Sequence, residues 1–385
     1  MDERLNDCFQ KVLDAGVPGF SIVVTDRTGD ILSRGVGKLA FDDPRLFRVD
    51  TPCHVFSLGK SMAAMAALKL WEDGVIDLHA PAAQYLPRIG SLRVLEGYDE
   101  RGMPKLRPPK RDITVHDMLT HTAGMAYPAF DTNLAEYMER TGMGDIINTY
   151  DREECFWCPL VRDPGEKWQY SPGLDITAMM VAHLTEMSYE AFLRKHFLDP
   201  LGMKDTTFHI KPEQQKRMAG FYFMSEKTGK YERIANPVPY EPHIEAAGAA
   251  MCSTAADYIK YLRMILNKGV TDSGVRVLEP ETVELACHDQ VSGRGIAATP
   301  RYNHLAPGKE TGWAYSFQYI KEDVPRSASK GTICWAGASN VFYWADPVKG
   351  VAGCLTCQVM PYNSVPVVEC YDAIRRATYD YINGR

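Results

Sequence analysis

Ser57 and Lys60 stand three residues apart in the run Phe56-Ser57-Leu58-Gly59-Lys60. That spacing puts two side chains on one face of a helix. A serine hydroxyl becomes a working nucleophile when a neighbouring base takes its proton, and a neutral lysine amine can do so. Burial favours the neutral amine because it penalises charge. A helix N-terminus would add free N–H groups and positive potential beside an attacked carbonyl. The alternative is a lysine that snorkels to solvent or pairs with an acid. The same spacing recurs at Ser327 and Lys330, inside the polar stretch PRSASKGT with no apolar helix after it, and there it reads as a solvated loop. Lys60, by contrast, is followed by SMAAMAALKLWED, apolar almost all round, which predicts a helix in the interior. Gly59-Lys60-Ser61 imitates the end of a phosphate-binding loop, but the first glycine of that motif would fall on His54.

A second group lies at Trp168-Gln169-Tyr170-Ser171-Pro172, ahead of another apolar helix. Ser171 suits the N-cap and Pro172 the first helical position. A tyrosine hydroxyl there can pass a proton between nucleophile, lysine and leaving group, or simply pack over the start of the helix. Two Cys-x-x-Cys pairs, Cys155/Cys158 and Cys354/Cys357, invite a metal or redox reading. Cys354 and Cys357 fall in a strand-like run, where residues three apart point to opposite faces, so no metal site is expected.

These residues need a scaffold, and the chain is long enough to build one. Its 385 residues allow two or three lobes or one large domain; 45% are hydrophobic and 24% charged, ordinary for a globular protein. The net charge of −6 gives no footprint for nucleic acid or an anionic membrane. The N-terminal MDERLNDCFQ is no secretory h-region, and the most apolar stretch, Met62 to Leu68, is too short to span a bilayer. Ten cysteines are too few for a disulfide scaffold, and a reduced, cytoplasmic protein is the expectation.

From Gly19 the chain reads strand, turn, strand, with the reversal at Thr28-Gly29-Asp30. Val341–Trp344 and Val351–Val359 read as strands, and a last helix runs from about Val367 to Tyr381. Between the ends lie helices at Ser61–Asp73, Val115–Thr120, Leu174–Met187, Tyr189–Phe197 and Ala256–Asn267. Gly74 and Gly269 stand where C-caps belong, and Leu201-Gly202 follows another helix end. The expected architecture is an α/β lobe from 1–56 plus 310–385, with a mainly helical lobe of 57–309 inserted. The site falls in the cleft between them. Residues 292–312 predict a surface loop that could close over it.

Ser57, Lys60 and Tyr170 together make a family visible. The sequence resembles the penicillin-binding, serine β-lactamase-like superfamily, in its class C and family VIII carboxylesterase branch. FSLGKSMAAMAALKLWEDGVIDL, DITVHDMLTHTAGM, DPGEKWQYS, FLDPLGMKDTTF, GAAMCSTAADYIKYLRMILNKG and the strand around Trp335-Ala336-Gly337 carry the likeness. VDTPC and VLEGYDERGMPKLR narrow it to fungal statin esterases and statin side-chain acyltransferases. The resemblance implies an antiparallel sheet flanked by helices. It also implies Ser57 as nucleophile, Lys60 as general base and Tyr170 as proton relay. The N–H groups of Ser57 and Ala338 would form the oxyanion hole, typically the largest single catalytic contribution. Tyr127 matches a tyrosine bordering the site in the esterase branch.

Two departures bear on the substrate. Pro172 replaces the asparagine of Tyr-x-Asn, and Trp335 replaces the cationic or imidazole residue of the third motif, so antibiotic hydrolysis is not expected. Trp335, with Ala336, Gly337 and Trp344, would instead offer an apolar wall to a bulky alcohol; Tyr343 and Trp344 could equally be sheet core. The resemblance implies a serine esterase that removes a short branched acyl chain from a statin-like polyketide, lovastatin to monacolin J, without metal or cofactor. The alternatives are an acyltransferase using a thioester donor and an inactive binding protein of the same fold. The partner is a small-molecule ester, with neither nucleic acid nor membrane; the oligomeric state stays open.

Overall fold

β-Branched and aromatic residues on either side of Thr28-Gly29 form a hairpin of β1 (Gly19–Asp26) and β2 (Asp30–Ala40), extended by β3 (Asp43–Leu46). The computed structural model describes residues 5–143, 152–291, 306 and 309–384. Five further strands come from the C-terminal part: β4 (Thr311–Trp313), β5 (Gln318–Ile320), β6 (Ile333–Gly337), β7 (Val341–Asp346) and β8 (Val351–Cys357). All eight join one antiparallel sheet in the order β4-β5-β6-β7-β8-β1-β2-β3. The two ends of the chain meet at its centre, where β8 pairs with β1 from Phe20↔Cys357 to Asp26↔Val351.

Both faces of this sheet are covered. Over the outer face lie α1 (Asn6–Asp14) and α5 (Val365–Asn383), joined by Leu5, Phe9, Val12, Val367, Tyr371 and Ile374. On the inner face are α2 (Gly59–Glu72), α3 (Gly173–Thr185) and α4 (Ala255–Leu266), with shorter helices at Val115–Leu119 and Tyr189–Leu193, the last continuing as a π-helix over Arg194–Leu198. Gly74 and Gly269 take φ of 73° and 89° just past α2 and α4, the left-handed turn that ends a helix. Among the described residues, no helix is long and apolar enough to cross a membrane.

Strand alternation assigns the C-terminal side chains. Cys354 belongs to the inner core and Cys357 to the outer one, as their spacing requires, and none of the ten cysteines is in a disulfide. Trp335 pairs with Tyr343 and faces inward, whereas Trp344, opposite Cys334, faces outward against Tyr371 of α5. Trp344 therefore lies on the side of the sheet away from Trp335 and does not line the site. A Cβ on Gly353 would come within 2.1 Å of its ring, so the indole is seated directly on the neighbouring strand.

The start of α3 differs from the sequence reading by one position. Pro172 itself is the N-cap, and Ser171 makes no capping bond to the second or third helical N–H. Its hydroxyl lies 3.1 Å from His121 Nδ1, with only a long 3.5 Å contact from the Gly173 N–H. The buried imidazole takes the serine that the local pattern assigns to the helix.

Candidate active site

From Thr51 to Leu68 every residue is buried except Ser57. Phe56, just before it, adopts φ of 47°, a left-handed conformation that costs a non-glycine residue energy and persists only where the surroundings impose it. Ser57 sits in a single 3₁₀ turn, Phe56–Leu58, that runs straight into α2. The Leu58 carbonyl accepts hydrogen bonds from Ser61 (2.9 Å) and Tyr258 (3.0 Å), fixing this turn from behind. On one side, a Cβ at Gly59 would come within 2.1 Å of the Ala247 carbonyl oxygen. On the other, a Cβ at Gly337 would come within 2.4 Å of the Val55 oxygen. The end of β6, and with it Ala338, thus abuts the segment carrying Ser57.

Lys60, on the first turn of α2, is 1% exposed. Its Nζ lies 3.6 Å from Oδ2 of Asp175 on the first turn of α3, and 5.3 Å from the ring centres of both Tyr127 and Tyr170. Asp175, equally buried, accepts the Gly248 N–H at 2.7 Å and the Tyr127 hydroxyl at 3.4 Å. Burial alone would push the lysine toward neutrality. The charge of Asp175 opposes it, assisted by Tyr127 and Tyr170, and the net direction is upward. Burial, which alone favours a neutral amine, is here outweighed by the charge of Asp175. Burial pushes the Tyr127 hydroxyl well above its usual range despite the nearby ammonium. His121, buried and close to Lys60, is held well below the ordinary imidazole range by desolvation and then by that positive charge.

Tyr170 is half-buried, and its loop is stitched to the Thr120–Gly124 segment. The Gln169 N–H donates to the His121 carbonyl at 2.8 Å, and the Gly165 N–H to Thr122 at 2.7 Å. The Trp335 indole N–H donates to the Tyr170 hydroxyl at 3.2 Å. Around Tyr170 the rings form an aromatic wall: His121 at 4.7 Å, Trp335 at 5.1 Å and Tyr127 at 5.6 Å, with Trp313 perpendicular to Trp335 at 4.7 Å.

The structure thus brings Lys60, Tyr170, Tyr127 and Trp335 to one place, with Ser57 one turn before Lys60 in the chain. Ala336 packs with the outer core, so only its backbone can face the inner side of the sheet, and Trp344 is excluded by its face. Most of the expected loop of residues 292–312 lies outside the described residues. Asp175, His121 and Trp313 escaped the sequence reading. An acid three residues into the otherwise apolar helix GLDITAMM is the signal that could have found Asp175. Among the described residues, one group of metal-ligand type, Glu190, His209 and Glu245, brings its donor atoms within 4.8 Å of one another. His209 already bridges Glu241 (2.8 Å) and Glu245 (3.0 Å), while Glu190 holds Thr207, the Phe208 N–H and Arg194. This group is engaged in its own hydrogen bonds and ion pairs.

Residues 5–373 match the Beta-lactamase family. The chain belongs to that family. Among its relatives, monacolin J acid methylbutanoyltransferase of Aspergillus terreus is 27% identical, covering 93% of this chain and 90% of its own. Lovastatin esterase of Penicillium rubens is 24% identical, covering 97% and 98%. A simvastatin synthase mutant from Aspergillus terreus superposes with a TM-score of 0.89 at 25% identity, covering 99% of this chain and 95% of that one. The fold is the β-lactamase-like antiparallel sheet flanked by helices, and this family member has the setting of an acyl-transferring serine enzyme.

Proposed function

We propose that the protein is a serine esterase that removes a short branched acyl chain, such as 2-methylbutyryl, from a statin-like polyketide through an acyl-enzyme on Ser57. The observation that supports this reading is the buried Lys60–Asp175 pair with the Tyr170 ring 5.3 Å from the amine, one turn past the partly exposed Ser57. In its deprotonated form Lys60, assisted by Tyr170, takes the Ser57 proton, while the Trp335 N–H steadies the Tyr170 oxygen. Ser57 attacks the ester carbonyl, the N–H groups of Ser57 and Ala338 receive the oxyanion, and the alcohol leaves with the proton from Tyr170. Water then resolves the acyl-enzyme by the same route. The aromatic wall of Trp335, Trp313 and Tyr127 suits a flat, bulky alcohol better than a charged antibiotic.

The second reading, an acyltransferase that charges Ser57 from a thioester and passes the acyl group to a polyketide alcohol, is favoured by the relatives named as methylbutanoyltransferases. The deciding experiment is monacolin J release from lovastatin acid in water alone, followed by chromatography and mass spectrometry, with Ser57→Ala as control. Saturable, Ser57-dependent release supports the esterase. Silence there, with acylation of monacolin J once a thioester is supplied, supports the transferase. A folded protein whose Ser57 resists a serine-directed phosphonate would be a binding protein instead.

A further inference from the structure

Away from the cleft, two thiols from opposite ends of the chain touch. Cys8, third residue of α1, and Cys370, in the second turn of α5, have their sulfurs 3.3 Å apart although 362 residues separate them in sequence. The contact is held from both sides: Leu5, Phe9 and Val12 of the N-terminal segment interlock with Val367, Tyr371 and Ile374 of α5. Cys370 is buried, whereas Cys8 is partly exposed and can be reached from solvent. We propose that Cys8 and Cys370 form a reversible disulfide that ties α1 to α5, with a hydroperoxide as oxidant.

The geometry asks little of the fold. Bond formation needs the sulfurs to close to about 2.05 Å, a movement of roughly 1.3 Å that side-chain rotation and a slight helix shift supply. The hydrogen bond shared with Cys370 and, to a smaller extent, Lys11 outweigh burial to bring the Cys8 thiol below its usual range. The same contact, reinforced by burial, pushes Cys370 up. Cys8, the sulfur open to solvent while Cys370 is buried, is therefore the attacking thiolate. Its sulfur breaks the O–O bond of hydrogen peroxide, becoming a sulfenic acid and releasing one water. The Cys370 sulfur then attacks the Cys8 sulfur; the S–S bond forms, the S–O bond breaks, and hydroxide leaves with the Cys370 proton as a second water. Two thiols give up two electrons and two protons, and one peroxide becomes two waters. A dithiol reductant reverses the step.

Of the other cysteines, Cys158 and Cys287 are also partly exposed, but burial pushes both thiols up to about 12, which leaves them poor nucleophiles. The test uses the full chain, treated with a modest excess of hydrogen peroxide, blocked with N-ethylmaleimide and analysed by intact mass and peptide mapping. The expected result is a loss of 2 Da and a cross-linked peptide pair holding Cys8 and Cys370, reversed by dithiothreitol. The midpoint of thermal unfolding should rise by about 5 °C or more in the oxidised form, because the cross-link spans nearly the whole chain. Cys8→Ser should abolish the mass loss, and Cys370→Ser should leave a Cys8 sulfenic acid that dimedone traps. Cross-linking between any other pair overturns the proposal. So does a Cys8 that accumulates sulfenic or sulfinic acid in the wild type while Cys370 still alkylates. The wild-type peptide map decides alone should either serine variant fail to fold.

Discussion

Replacing Asp175 by asparagine isolates the charge that governs Lys60. The amide keeps an acceptor for the Gly248 N–H, which Oδ1 holds at 2.7 Å, and places a neutral NH₂ where Oδ2 now faces the ammonium at 3.6 Å. At that distance, with an effective dielectric constant of about 20, the lost attraction is about 4–5 kcal/mol, roughly a thousandfold or more in the proton affinity of the amine. Burial then acts unopposed, so Lys60 in the variant falls below its unfolded value instead of standing above it. Two readouts follow. The reactive form lacks one proton, and in the variant Lys60 gives it up more readily, so the alkaline-rising limb of the acylation rate should move to lower pH by about three units. The burst of p-nitrophenol from a p-nitrophenyl butyrate probe measures it.

Stability should respond with a definite sign. In the wild type the raised lysine contributes stability that is complete below its unfolded pKa of about 10.4 and is lost as pH rises through the higher folded value. In Asp175→Asn the buried amine resists protonation, and the variant weakens as pH falls below about 10.4. The stability gap, about 3–5 kcal/mol at neutral pH by precedent for breaking buried pairs, should narrow above pH 10 in urea titrations. Superimposable rate profiles together with a pH-independent gap would refute the claim that Asp175 sets the charge of Lys60.

Trp335→Phe keeps an aromatic wall but removes the indole N–H from the Tyr170 oxygen; about 1 kcal/mol, or roughly fivefold, should come off kcat with little change in KM on the same probe. Gly248→Ala would place a methyl 1.6 Å from Lys60 Nζ, and the displaced ammonium should cost on the order of a hundredfold in kcat/KM. Trp344→Ala should lower stability by about 3–5 kcal/mol in denaturant titrations and leave KM unchanged, since that indole faces α5 and not the cleft.

The parts legible in the sequence are those where local pattern and tertiary role agree. The apolar run after Lys60 is α2, the hairpin turns at Thr28-Gly29, and period-two alternation puts Cys354 and Cys357 on opposite faces. What stayed hidden depends on partners far away in sequence. Within its own helix, burial argues for a neutral Lys60, yet the opposing charge sits on Asp175, on a helix more than a hundred residues on. Ser171 has the composition of a cap, but His121 claims its hydroxyl. Trp344 was grouped with Trp335 by type and proximity in sequence; a sheet separates residues an odd number of positions apart only once the strand and its facing layers are known. The cross-strand partner Tyr343 of Trp335 would have settled it.

The seam between β1 and β8 also dictates when this protein can fold. Asp26 pairs with Val351, so β1 leaves the ribosome about 325 residues before its central partner. At roughly 5–20 residues per second, that is an interval on the order of 15–65 seconds. During it the β1–β2 hairpin presents an unpaired edge, with Phe20, Ile22 and Val24 awaiting an outer core that α5 completes last of all. Contacts of such long range make for slow folding. A chain stopped just short of β8 would carry Ser57, Lys60 and Tyr170 yet lack the strand on which the whole sheet closes, which makes late truncation more damaging here than its length suggests.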